Sequence, residues 1–407
     1  MLRNIELLIN IIGFLIVWLE KLNENKISLS LERMEKFIID RGKTKYKCIH
    51  VGGTNGKGSV CHFIYNILRE DHKVGLYTSP HLERLNERIV IDGIEISNDE
   101  IEKYKYLTRY NFTYFEALTA IAIEHFENRD VDYGVFEVGL GGRLDATNVI
   151  EPEISIITNV SLEHENFLGK DIVSIAREKA GIIKNSPVVT ACKGEALELI
   201  KNVAEEKNVE LYVVGRDVKW EKIGNKFLID ADEKYSVETK MQGIFQGENI
   251  AIAIKAGELL GIDKEKIIDG IKKTFLPGRM EKIGNFILDG CHNPAAIEAF
   301  SKSIVDYNKL IIIFGAMRDK NIPEMIKRLP KARAYIATKS SSERAMPAGE
   351  IAGVGAKNGV SFIVKEEVGE AISFAEEIAN KNEVICIIGS LYLVGEARKI
   401  MREKNYL

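Results

Sequence analysis

A short, mainly apolar run over residues 48–51 leads into Gly52-Gly53-Thr54-Asn55-Gly56-Lys57-Gly58-Ser59, after which Val60, Phe63, Ile64, Ile67 and Leu68 recur at helical spacing. The pattern predicts strand, glycine-rich loop and helix in direct succession. Apolar runs at 133–138, 154–160 and 188–190 predict further buried strands, with helical patterns between several of them. Strands covered on both faces read as continuous apolar runs, so this part is expected to be an α/β unit on a mainly parallel sheet.

Between about residues 210 and 241 the period shortens to alternating segments at 218–223 and 226–229, joined at Gly224-Asn225 in an expected hairpin. This reads as a small β excursion of the first unit. A helix opening near Gly247-Glu248-Asn249 follows, and Pro277-Gly278 then punctuates the chain. A second alternation places strands at 286–288, 310–314, 334–337, 360–364 and 384–388 with helices between them. The expected organisation is therefore an N-terminal α/β domain with a P-loop-type turn and a mainly parallel sheet over 1–280, with residues 1–15 a possible extension, and a C-terminal Rossmann-like α/β domain over 281–407.

The 407 residues carry 60 acidic and 56 basic side chains and a formal charge of -4, so no general basic field draws in nucleic acid or an anionic membrane. Five cysteines, scattered and without CxxC spacing, suit the cytoplasm better than a disulfide or zinc framework. The apolar stretch over 7–19 is shorter than the roughly 20 residues of a spanning helix and runs into Glu20 and Lys21. No membrane partner is expected, and a monomer acting on small molecules is.

The loop concentrates chemistry. Backbone N–H groups at a helix start, reinforced by the helix dipole, can hold a polyphosphate, and Lys57 can neutralise it. The spacing departs from GxxxxGK[ST], because Val51 takes the first glycine position and Gly58 separates Lys57 from Ser59. Glu137, at the end of an apolar strand, is placed to bind a hard cation such as Mg²⁺.

Several stretches together resemble the folylpolyglutamate synthase/dihydrofolate synthase family of the Mur ligase superfamily. They are His50-Val-Gly-Gly-Thr-Asn-Gly-Lys-Gly-Ser59, Thr78-Ser-Pro-His-Leu82 with Asn86-Glu-Arg-Ile89, and Phe136-Glu-Val-Gly-Leu-Gly-Gly-Arg-Leu-Asp-Ala-Thr-Asn148. Ile157-Thr-Asn-Val160 with His164, Glu178-Lys-Ala-Gly-Ile-Ile-Lys184, Asp289-Gly-Cys-His-Asn-Pro294 and Gly389-Ser-Leu-Tyr-Leu-Val394 follow in the family's order. One departure is Glu163, where the family usually has Asp before the metal-binding His.

The resemblance implies an ATP- and Mg²⁺-dependent ligase that activates the carboxylate of a folate or of dihydropteroate as an acyl phosphate and joins it to L-glutamate. It implies nucleotide contacts at Asn55, Gly56, Lys57, Gly58, Ser59, Asn249, Arg279 and Asp289. Two metal sites are implied, the first held by Ser79 and Glu137, the second by His164. Lys57, Lys179, Glu137, His164, Asp289 and His292 would be catalytic. Substrate contacts carry over to Thr113, Tyr114, Phe115 and Glu116 and to Leu144, Asp145 and Ala146. Periodicity alone makes Lys179 a surface lysine of a helix over 172–183; the resemblance instead implies a CO₂-derived carbamate on it. A cell-wall ligase of the same superfamily is the alternative, and Ser79-Pro80-His81-Leu82 with Asn86-Glu-Arg-Ile89 speaks for the folate branch. A non-catalytic nucleotide-binding protein would show damaged catalytic positions, and none of these is damaged.

Overall fold

The computed structural model describes residues 17–24, 26, 28–304 and 309–407; the expected extension over 1–15 lies outside them. The first sheet is eight-stranded, in the order β4-β3-β2-β5-β1-β6-β7-β8. Its strands are β1 (Lys47–Gly52), β2 (Val74–Tyr77), β3 (Ile89–Ile91), β4 (Ile94–Glu95), β5 (Tyr133–Glu137), β6 (Pro152–Ile157), β7 (Val188–Thr190) and β8 (Leu211–Val213). Pairing is parallel from β2 through β8, and β3 and β4 close one edge as an antiparallel hairpin. The hairpin turns at Asp92-Gly93, both at positive φ, as a tight two-residue turn requires.

Strand β1 lies between β5 and β6, so the chain departs to both sides of it. A crevice forms at the carboxyl ends of strands where the winding reverses. Helix α1 (Lys57–Leu68) leaves β1 directly through the glycine loop. Its apolar face shares one core with α4 (Gln246–Leu259) and α5 (Lys264–Lys273). On the other face α2 (Tyr114–Asn128) buries Leu118, Ile121 and Ile123, and α3 (Ile172–Ala180) packs farther along the sheet. Lys179, expected at the surface, is 1% exposed, a correction explained by the acceptors it meets inside.

The β excursion is a three-stranded antiparallel sheet of β9 (Lys219–Ile223), β10 (Lys226–Asp230) and β11 (Lys234–Val237), with the expected turn at Gly224-Asn225. Phe227, Ile229, Tyr235 and Val237 add its inner face to the α1 core. The last sheet runs β12-β13-β17-β14-β15-β16, with β12 (Glu281–Ile283) antiparallel to β13 (Phe286–Asp289) and the rest parallel. Its remaining strands are β14 (Leu310–Phe314), β15 (Ala334–Ala337), β16 (Phe362–Val364) and β17 (Val384–Ile388). Helices α6 (Pro294–Ser303) and α7 (Leu391–Glu403) follow β13 and β17.

Among the described residues the two halves meet at several places, one of them where Ile244 N–H donates to Ser303 Oγ at 3.3 Å. Glu83, after β2, pairs with Arg398 at 2.8 Å and Arg402 at 2.7 Å on α7, where a Cβ on Gly395 would collide with the Leu82 carbonyl. Another meeting is at the phosphate loop.

A candidate active site between two sheets

Asn55, in the middle of the loop, is tied down from β6: its N–H donates to Asn159 Oδ1 at 2.9 Å, and its carbonyl accepts from Thr158 Oγ1 at 2.7 Å and Asn159 Nδ2 at 3.0 Å. Gly56 sits at φ +85°, and a Cβ there would lie 2.5 Å from Asn249 Oδ1, so both its conformation and its space demand glycine. The first-turn N–H groups of α1 have no intrahelical partner and face the crevice.

A cavity of about 430 Å³ opens over this loop. Its walls include Asn55, Gly56, Lys57, Gly58 and Ser59, then Ser79, Glu137, His164, Lys179 and Asn249, and from the second sheet Arg279, Asp289 and His292. Every residue expected to bind nucleotide or metal, or to take part in catalysis, therefore meets at one place.

Glu137 ends β5 and is buried, with Oε2 accepting the Ser79 N–H at 3.0 Å. Burial pushes its carboxyl up, against the pull of Lys57 and Arg279. Among the described residues no cation lies within ion-pair distance of it. No three His, Cys, Asp or Glu side chains among the described residues gather around one point. A hard ion here would complete its shell with phosphate oxygens and water, the habit of Mg²⁺. The residues fit that ion.

Lys57 Nζ donates to the carbonyls of Gly53 at 3.0 Å and Thr54 at 3.2 Å. Lys179 Nζ also donates to Gly53, at 3.0 Å, and to Glu163 Oε1 at 2.9 Å. Burial pulls the Lys179 ammonium down and Glu163 pulls it back up. Burial raises the Glu163 carboxyl, but Lys179, Lys57 and His164 outweigh it and hold it at about 2. His164 stands at φ +48°, and burial, with Lys320 adding, lowers it to about 4.

Asp289 ends β13, and its two oxygens accept the N–H groups of Met280 and Cys291, both at 2.8 Å. Burial raises its carboxyl, opposed by Arg279. His292 bonds through Nδ1 to the Gly290 carbonyl at 3.1 Å, so a neutral ring leaves Nε2 as an acceptor. Burial, then Lys320 and Arg279, pushes it to about 3.

The expected substrate residues stand apart from this wall. None of Thr113, Tyr114, Phe115, Glu116, Leu144, Asp145 or Ala146 lines the cavity. Thr113 and Glu116 form the capping box of α2, and Glu116 also pairs with Arg33 at 2.9 Å. Asp145 accepts from the Leu140 N–H at 2.8 Å and from the Thr147 hydroxyl at 2.5 Å. That hydroxyl in turn meets buried His50 Nε2 at 2.8 Å. Phe115 and Asp145 touch the cavity wall from behind, the Phe115 ring against Gly139 and the Asp145 carboxylate on the Leu140 N–H.

Sequence reasoning assigned no role to Asn159, Asn293 or Lys320. Asn159 and Asn293 lie in the motifs quoted above and carried that signal. Lys320 follows β14 and is mostly buried, and its charge bears on both His164 and His292. Ser390 caps α7, accepting from Tyr392 N–H at 3.1 Å, rather than lining the cavity.

A phosphate loop on one sheet, closed by strand ends of a second, defines a two-part nucleotide-dependent ligase of the Mur type. The family model "Mur ligase middle domain" matches residues 51–257, and "Mur ligase, glutamate ligase domain" matches 278–391. The dihydrofolate synthase/folylpolyglutamate synthase of Bacillus subtilis is 34% identical over 409 residues, covering 91% of this chain and 95% of that protein. A probable bifunctional folylpolyglutamate synthase/dihydropteroate synthase of Halobacterium salinarum is 35% identical over 86% of this chain, which spans 46% of that longer protein. Among solved structures, Escherichia coli FolC in complex with DHPP and ADP has a TM-score of 0.88 at 27% identity, covering 96% of this chain and 97% of the other. A bifunctional folylpolyglutamate synthase/dihydrofolate synthase with Mn, AMPPNP and L-glutamate bound has a TM-score of 0.85 at 29% identity, covering 96% of this chain and 97% of the other. The chain belongs to the folylpolyglutamate synthase/dihydrofolate synthase family of Mur ligases, enzymes that form C–N bonds at the expense of ATP.

Proposed function

We propose that this protein adds L-glutamate to the carboxylate of a folate, of dihydropteroate, or of both, through an acyl phosphate. The observation that carries the reading is the convergence of phosphate loop, buried Glu137 and second-sheet groups on one cavity. The relatives' names and ligands support it.

In this reading the loop N–H groups from Gly56 to Ser59 cradle the phosphates, with Asn55 beside them. Lys57 leaves its carbonyls for the β- and γ-phosphates, and Arg279 reaches them across the cleft as a fork of donors. Asn249 and Asp289 complete the nucleotide contacts. Ser79 and Glu137 would hold one Mg²⁺ and His164 would contribute to a second; bound there, the ions would neutralise charge on the γ-phosphate. A substrate carboxylate oxygen attacks the γ-phosphorus and ADP leaves. The glutamate amine then attacks the acyl carbon, expelling phosphate and losing a proton. His292, held near 3, is too weak a base to keep that proton, but its Nε2 can orient the amine. Phe115, with Thr113, Tyr114, Glu116, Leu144, Asp145 and Ala146 behind it, would shape the pterin side.

Carbamylation of Lys179 belongs to the same proposal. The neutral amine would attack CO₂, forming an N–C bond and releasing a proton, and the new anion would face the metal region in place of the Lys179–Glu163 pair. Intact mass in bicarbonate is expected to show one added CO₂ that is absent from Lys179→Ala; equal masses would refute it. A division of labour near residue 280, a monomer and a cytoplasmic location complete the reading. Among the described residues no helix is long and apolar enough to cross a membrane.

The deciding experiment supplies ATP, Mg²⁺ and L-glutamate with dihydropteroate or a reduced folate, and follows ADP release and product mass. Glutamyl product from at least one of them is expected. Turnover confined to a nucleotide-linked muramyl substrate would replace this reading with the cell-wall one.

A further inference from the structure

Asn293 precedes α6, and its Oδ1 accepts the Ala296 N–H at 2.9 Å as the helix cap. With the oxygen so used, its Nδ2 must point the other way, and it donates to Asn55 Oδ1 at 2.9 Å. Asn55 Nδ2 returns to Asn293 Oδ1 at 3.4 Å. A reciprocal amide pair thus joins the middle of the phosphate loop to the start of α6, and Asn293 is 3% exposed. The Asn55 end cannot drift, because Thr158 and Asn159 hold its backbone. The Asn293 end is next to His292 and on the same turn as Asp289.

We propose that Asn293, acting through Asn55, is a positioning residue that sets the second sheet's groups in register with the phosphate loop, and so fixes where the incoming amine stands relative to the acyl phosphate. The inference rests on the ligase reading for its kinetic part only. The pair is neutral, so it can sit beside phosphates without competing for them. Being short, it tolerates little separation of the two halves.

Asn293→Ser keeps a good helix cap but is too short to reach Asn55. It is expected to keep the melting temperature, lower kcat about tenfold, the scale of a lost hydrogen-bonded pair, and change KM for ATP far less. Asn55→Ala, at a residue that also meets the nucleotide, should lower kcat at least as far and raise KM for ATP as well, and the double variant should fall no further in kcat than the worse single one, because both remove one interaction. Dyes on cysteines introduced at exposed Lys207 and Lys357, with the five buried native cysteines shielded, report the distance between the halves by energy transfer. A broader distribution in Asn293→Ser than in the parent is expected. An unchanged kcat, losses that multiply in the double variant, or an unchanged distance distribution would each overturn the proposal. If the parent turns over no substrate, the ligase reading fails, while the distance measurement still decides the pair.

Discussion

The phosphate loop at 52–59 and the patch made by 113–116 and 144–146 serve the same end of the same sheet in opposite ways. In the loop, backbone donors at a helix start face outward, and side chains hold the loop from behind. In the patch, the polar groups turn inward: Thr113 and Glu116 cap α2, Asp145 holds Leu140 and Thr147, and Phe115 presents only a ring edge. A charged ligand is thus met by groups left open for it, and a flat apolar one by a surface whose polar atoms are already satisfied. Under the proposed function, phosphate recognition would be a property of backbone, and pterin recognition a property of shape.

Three changes test that contrast. The largest effect is expected from Glu137→Gln, which keeps the bond from Ser79 but removes the buried charge: turnover should fall about a thousandfold with every carboxylate substrate alike. A loss seen with one pterin only would mean that Glu137 belongs to the patch. A smaller and selective effect is expected from Phe115→Leu. KM for the pterin substrate should rise about tenfold, while nucleotide affinity, measured by calorimetry, stays put. An equal loss of nucleotide affinity would erase the distinction between the two regions.

The smallest effect comes from behind both. His50 ends its contacts at Thr147, and burial, with Lys184 adding, lowers its pKa from 6.5 to about 3. The folded state therefore keeps it neutral where the unfolded chain binds a proton, so the stability it supports is complete above pH 6.5 and drains away as pH falls toward 3. His50→Gln should remove up to one proton from that dependence, about 1.4 kcal/mol per pH unit at most, while kcat at neutral pH stays near the parent's. Urea denaturation across the window measures it, and an unchanged slope would place the acid sensitivity elsewhere.

How legible all this was in the sequence followed the same divide. The loop, the Gly224-Asn225 hairpin and the alternating second unit were readable because turn chemistry and period are local. Four-residue β2 escaped notice, being too short for a period and interrupted by Gly75. Lys179 read as exposed because helical spacing reports which face is apolar, and says nothing of an acceptor brought in from a distant loop, here Glu163 and the Gly53 carbonyl. Its unusual setting came only from the resemblance. Asn293 was visible as a helix start before proline, but its partner lies 238 positions away, beyond any local signal. The capping roles of Thr113 and Glu116 follow a T-x-x-E spacing that local reading could have caught.

Gly395 carries a consequence for the gene. With the Leu82 carbonyl oxygen occupying the space a Cβ would take, codon 395 admits no side chain without wedging the two halves apart. Every missense allele there acts as a spacer of graded thickness, and its damage should scale with the size of the residue while leaving each sheet's own fold intact.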